Sequence, residues 1–193
     1  MFKLIPDMDE SEKLQQAMQA LKKGSAEAFH LLYEKYNRKV FRFCLRMLGD
    51  ADIAKDAFQE TFISIYEHRR EFRGQNFQAW AFTIARHTCL NAIRSRKEHD
   101  SFDEISYYSL KDEPLAENSE SDPGLKDCIN KAVGILPLAL REAFLLREYE
   151  ECSYQELADI LGIDLSLAKV RVFRAREILR KLLTPLKQEL YES

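Results

Sequence analysis

Apolar residues recur at helical spacing along most of this chain, and no segment alternates at period two, so helices are expected and strands are not. One pattern runs from about Ser25 to Leu48, with Phe29, Leu32, Tyr33, Tyr36, Val40, Cys44 and Met47 on one stripe and Gly49 to end it. A second begins near Asp52 and carries Ala54, Ala57, Phe58, Thr61, Phe62 and Ile65. Its outer side shows Asp52, Asp56, Gln59 and Glu60, with Ile63 exposed or nearly so. A third runs from about Phe77 to Lys97, with Phe77, Trp80, Ala81, Ile84, Ala85, Thr88 and Ala92 turned inward. A weaker helix over Glu10–Lys23 precedes them, and further helices are expected near Leu125–Ile135 and Pro137–Tyr149. Pro137 suits a first helical position, where its missing N–H costs little.

The most specific local pattern comes near the end. Ser153 and Glu156 have the spacing of a capping box, Leu157, Ile160 and Leu161 form an apolar face, and Gly162 supplies a left-handed stop. After Asp164, a suitable N-cap, a second helix carries Ala168, Val172, Ala175 and Leu179 on one stripe. Two helices joined by so short a turn make a helix-turn-helix, whose second helix can enter a DNA major groove. That helix holds Lys169, Arg171, Arg174, Arg176, Arg180 and Lys181 against Glu177 alone, which favours a nucleic-acid partner over a merely wetted surface.

Charge divides the chain more clearly than its total does. The net charge of −3 conceals nine acids against one lysine between Glu98 and Asp122. Residues 99–123 also carry two prolines and no sustained periodicity, so they read as a tether between domains at 1–98 and 124–193. Its 25 residues can extend roughly 80–90 Å, enough to span about two turns of DNA. No run of 18 apolar residues occurs, which excludes an ordinary membrane span. The first ten residues turn acidic at once and do not resemble a secretory signal, so a cytoplasmic protein is expected. Cys44, Cys89, Cys128 and Cys152 lack metal-ligand spacing and read as buried free thiols, and neither metal nor cofactor is expected.

On the third helix His87, Asn91 and Arg94 share one row, flanked by Arg86, Arg96 and Lys97. The preceding loop, with Phe72, Arg73, Gln75 and Asn76, offers an aromatic face, cations and amides of the kind that capture an unstacked base. Taken alone, without the second half of the chain, both read first as an ordinary solvated face and a surface loop.

In order along the chain, several stretches resemble the extracytoplasmic-function group of bacterial RNA polymerase sigma factors. Gly49-Asp50-Ala51-Asp52-Ile53-Ala54-Lys55-Asp56-Ala57-Phe58-Gln59-Glu60-Thr61-Phe62 looks like the family's second region. Phe72-Arg73-Gly74, Phe77-Gln78-Ala79-Trp80 and Ile84-Ala85-Arg86 look like its promoter-melting segment. Leu136-Pro137, Phe144 to Tyr149, Ser153 to Ala158 and Val170 to Arg176 look like its fourth region. The resemblance implies an all-α, two-domain initiation factor that catalyses no reaction. It implies that Asp52, Asp56, Gln59, Glu60 and Ile63 dock on the clamp helices of core polymerase. It assigns Phe72, Arg73, Gln75, Asn76, Arg86, His87, Asn91 and Arg94 to the −10 promoter element, and Ser166, Lys169, Val170, Arg171, Arg174 and Arg176 to the −35 element. Phe144 and Leu145 become candidates for the polymerase flap, and an anti-sigma protein becomes the expected regulator. Many members carry Asn where His87 stands, and Ser166-Leu167-Ala168 departs from the commoner entry to the recognition helix. A conventional helix-turn-helix regulator accounts for the second half as well, but leaves the row at 87–94 and the acidic face at 52–63 without a purpose. A helical enzyme has no constellation of residues behind it.

Overall fold

The computed structural model describes residues 10–73, 76–99 and 123–191; apart from His99 and Pro123, the tether expected over 99–123 lies outside them, as does Gln75. Among the described residues the chain forms eight α-helices and no strand. They are α1 (Glu10–Lys22), α2 (Ala26–Leu48), α3 (Ala51–Glu67), α4 (Phe77–His99), α5 (Pro123–Ile135), α6 (Leu138–Glu148), α7 (Tyr154–Leu161) and α8 (Leu165–Tyr191).

Side chains that satisfy free backbone groups set the helix ends. Ser25 Oγ accepts from the Ala28 N–H at 3.2 Å to start α2, and Asp50 Oδ1 accepts from Asp52 and Ile53 to start α3. Ser153 and Glu156 form the full capping box of α7, the Glu156 N–H donating to Ser153 Oγ and the Ser153 N–H to Glu156 Oε2 at 2.7 Å. Asp164 Oδ1 caps α8 through the Leu167 N–H at 2.8 Å. Gly49 and Gly162 close α2 and α7 in the left-handed region, at φ 68° and 64°. Pro137 departs from expectation: with φ −50° and ψ 137° it stands just before α6 as its cap, because an extended ψ turns the chain out of α5.

α2, α3 and α4 pack on one another, with α1 against α2, while α5, α6 and α7 gather on α8. The first group is held by an aromatic seam. Tyr33 meets Phe62 at 4.8 Å between ring centres, Phe58 meets Phe62 at 5.2 Å and Phe43 meets Phe82 at 5.3 Å. In the second group the stripe Ala168, Val172, Ala175 and Leu179 is buried, as its period requires, against α6 and α7. The groups also touch: α4 lies on α7, and α2 on α5 and α6. The two helix groups thus pack on each other in this structure.

The four cysteines are free; Cys44, Cys89 and Cys152 are buried and Cys128 is half-buried. Burial pushes the Cys152 thiol up to about 12. No described helix is long and apolar enough to cross a membrane.

Two positive-φ positions test how far backbone strain matters. Gly162 has open space where a Cβ would go, so Gly162→Ala costs only the left-handed backbone penalty, about 1 kcal/mol of unfolding free energy. Glu151, a non-glycine at φ 56°, already bears that penalty, so Glu151→Gly is expected to raise stability by a similar or smaller amount. Denaturant melts followed by circular dichroism should show the two variants moving in opposite directions.

Candidate nucleic-acid and polymerase interface

α3 presents one open polar face. Asp52, Asp56, Gln59, Glu60 and Ile63 are all exposed and follow one side of the helix. Ile63, 52% exposed, has Tyr66 beside it at 39%. The opposite side of α3 carries Ala54, Ala57, Thr61, Phe62 and Ile65 into the core, so burial of one stripe fixes where the acids point.

The loop before α4 and α4 itself hold the second set. His87, Asn91 and Arg94 form an exposed row along α4, and Arg73 is exposed ahead of it. Asn76 caps α4, its Oδ1 accepting from the Ala79 N–H at 3.1 Å, while its Nδ2 donates to Glu156. Phe72 differs from expectation. Its ring is buried, 5.1 Å from Trp80 and 6.3 Å from Phe77, with the Lys22 ammonium 5.5 Å from its centre. It serves the core and offers no free face for stacking in this arrangement. Trp80 is half-buried in the same aromatic group.

α8 carries the third set, and its members have unequal freedom. Ser166, Lys169, Val170 and Arg174 are exposed, with Phe173 among them at 63%. Arg171 is half-buried and donates to Glu142 Oε1 at 3.3 Å. Arg176 donates to Glu148 Oε1, its Nε at 3.2 Å, and this carboxylate holds its guanidinium further into the charged range. Ser166 donates to Asp164, and that hydrogen bond with the Leu167 N–H keeps the Asp164 carboxyl below its ordinary range.

The candidate DNA residues of the two halves meet at one buried acid. Glu142 on α6 is only 3% exposed. Arg86 of α4 reaches it with Nε 2.8 Å from Oε2 and Nη2 3.4 Å from Oε1, beside the Arg171 contact. Sequence reasoning placed Arg86 and Arg171 at separate promoter elements and gave Glu142 no part. Nearby, Gln78 Nε2 donates to the Glu150 carbonyl at 2.8 Å, Arg141 Nη1 donates to the Met47 carbonyl at 2.9 Å, and the Arg46 guanidinium lies 4.0 Å from the Tyr149 ring centre. Of the flap candidates, Leu145 is wholly buried in the core and Phe144 half-buried, its ring 6.1 Å from Tyr149.

Comparison with known proteins gives this geometry a family. A model of sigma-70 region 2 matches residues 32–99, and a model of sigma-70 region 4 matches residues 126–179. The chain is 32% identical over 188 residues to the RNA polymerase sigma-H factor of Pseudomonas aeruginosa, spanning 92% of this chain and 97% of that protein. It is 30% identical to the ECF RNA polymerase sigma factor SigW of Bacillus subtilis, over 90% and 98% of the two chains. Among solved structures it resembles the sigma factor RpoE of Bartonella quintana, described in complex with the anti-sigma factor NepR. The TM-score is 0.73 at 27% identity, covering 82% of this chain and 98% of that one. CnrH, in complex with the cytosolic domain of CnrY, shares the fold with a TM-score of 0.68 at 19% identity, over 91% and 99% of the chains. The region 2 match leaves no place for a helix-turn-helix regulator with an unrelated front half. From both halves and from their helical arrangement, the chain belongs to the sigma-70 family of RNA polymerase factors, in its extracytoplasmic-function group.

Proposed function

We propose that this sigma factor docks on core RNA polymerase through α3, reads a −35 element through α8 and holds the opened −10 strand along α4. The observation that carries the reading is the exposed α3 face itself. Four polar or acidic side chains and one bare isoleucine, Asp52, Asp56, Gln59, Glu60 and Ile63, line up on a helix whose other side is core. Such a face suits a basic groove with an apolar floor, which is the chemistry assigned here to the clamp helices. The flap is the second contact on polymerase, through apolar residues of α6 that include half-buried Phe144 but not the core residue Leu145. An anti-sigma protein is the regulator expected of this group, and the cytoplasm is the place of action.

Within the DNA surface the roles divide by freedom. Lys169, Val170, Arg174 and Ser166 face outward at the start of α8 and are the readers of the −35 duplex, with Arg176 joining once released from Glu148. His87, Asn91 and Arg94, with Arg73 and Asn76, line the path of the −10 strand, cations meeting phosphate and amides meeting base edges. Gln75 belongs to the same loop. Arg86 reaches DNA only after leaving Glu142. No step in this function asks the protein to make or break a covalent bond.

Two measurements test the division. Reversing charge with Asp56→Lys and Glu60→Lys together is expected to weaken binding to core polymerase by about tenfold or more, with thermal stability changed by less than about 0.5 kcal/mol. Unaltered binding of the folded double variant would remove α3 as the docking face. Arg174→Ala is expected to cut transcription from a −35-dependent promoter about tenfold in a purified system without destabilising the fold. Arg171→Ala behaves differently: it lowers folding stability by about 2 kcal/mol, less than the loss of a whole buried pair because Arg86 still meets Glu142.

A further inference from the structure

The loop between α6 and α7 buries an acid that has one carboxylate oxygen without a hydrogen-bond partner among the described residues. The acid is Glu150, 2% exposed, and the oxygen is its Oε2. It belongs to the second half of the chain. The charges around it come mainly from the first: Lys39, Arg42 and Arg46 of α2 all act on its carboxylate, while Glu151 beside it opposes. Its main chain is held from the same side, Gln78 of α4 donating to its carbonyl. Arg46 in turn stacks on the neighbouring Tyr149. Cys152, whose Sγ lies 4.0 Å from the Glu150 carbonyl, stays a protonated thiol throughout the physiological range.

We propose that the packing of the two halves is proton-linked through Glu150, which takes up a proton as α2 and α4 close over it and releases it when the halves part. The reason is geometric. A carboxylate that loses water must gain either a partner or a proton, and although the cations of α2 act on this one, its Oε2 has no hydrogen-bond partner among the described residues. In the parted form the loop regains water and the carboxylate ionises normally.

Burial outweighs the three cations and raises this carboxyl to about 7 from an ordinary 4.5. A carboxyl whose proton affinity is higher in the packed form favours packing at low pH. That preference is lost as pH rises from the ordinary carboxylate range through 7. Linkage between those two values gives about a tenfold rise in the ratio of parted to packed molecules from pH 6 to pH 8. The proton link stands on the interface alone. Only its consequence, that alkaline conditions free Asn76 and Arg86 for promoter DNA, rests on the function proposed above.

The test uses the full chain without DNA or polymerase. Small-angle X-ray scattering from pH 5.5 to 8.5 is expected to show the parted fraction growing, and Glu150→Gln is expected to stay packed and flat across that range. A wild type and a Glu150→Gln variant that open identically with pH would overturn the proposal. If Glu150→Gln does not fold, carbon-detected NMR of the wild-type side-chain carboxyl decides instead. A Glu150 midpoint near 7 supports the link, and a midpoint in the ordinary carboxylate range defeats it. Promoter-specific transcription at one fixed pH, with core polymerase, tests the sigma reading separately, so either idea can fail while the other stands.

Discussion

A carboxylate taken out of water must gain a partner or a proton, and at Glu142 the two halves of the chain supply the partner together. Arg171 comes from α8 and Arg86 from α4, so one buried acid on α6 ties the recognition helix to its own half and that half to the other. Removing either charge partner leaves part of a buried ion unpaired, which is far costlier than losing an exposed pair. The residue beside it repeats the arrangement in neutral form. Arg141 donates to the Met47 carbonyl at the end of α2 and to the Gly134 and Leu136 carbonyls around the end of α5. Two adjacent side chains on one short helix thereby fix the ends or flanks of four others.

The same interaction bears on function, because a carboxylate offers an arginine what a phosphate does: oxygen acceptors and negative charge. Arg86 engaged with Glu142 is not free for DNA, and Asn76 engaged with Glu156 is not free for a base. The Asn76 contact joins two helix N-termini, since Asn76 also caps α4 and Glu156 also closes the capping box of α7. The packed form and the DNA-bound form of the proposed mechanism are therefore alternatives, and whatever parts the halves at this seam promotes one over the other.

Much of the fold was legible because its determinants are local. Caps at Ser25, Ser153 and Asp164 and left-handed stops at Gly49 and Gly162 act within a few residues, so sequence spacing alone finds them. The α8 stripe is equally plain, since a helix covered on one side buries one period. α4 broke that logic. Phe82 and Cys89 lie outside the stripe read from the sequence yet are fully buried, because α4 is covered by α2 and α3 on one side and α7 on another. Phe43 on α2 was passed over likewise, and it packs on Phe82. The acidic face of α3 was readable, as exposed acids look alike in sequence and in space. The seam between halves was not. It is built from Arg46, Gln78, Arg86, Glu142 and Glu150, residue types that read as solvent-facing until a partner more than fifty positions away covers them.

The packing also orders events in the proposed mechanism. Its seam engages α2, α4 and the loop ahead of α4, but Asp52, Asp56, Gln59, Glu60 and Ile63 remain exposed on the far side of α3. A partner for α3 can therefore dock while the halves are still together, whereas DNA cannot gain Arg86 or Asn76 until they part. Docking first then has a physical advantage. With α3 held by its proposed partner, the second half needs only to part from the first rather than find both of its own partners at once. The start of α8, with Lys169 and Arg174 exposed even in the packed form, would give DNA a first handhold for drawing Arg171's helix away from the seam.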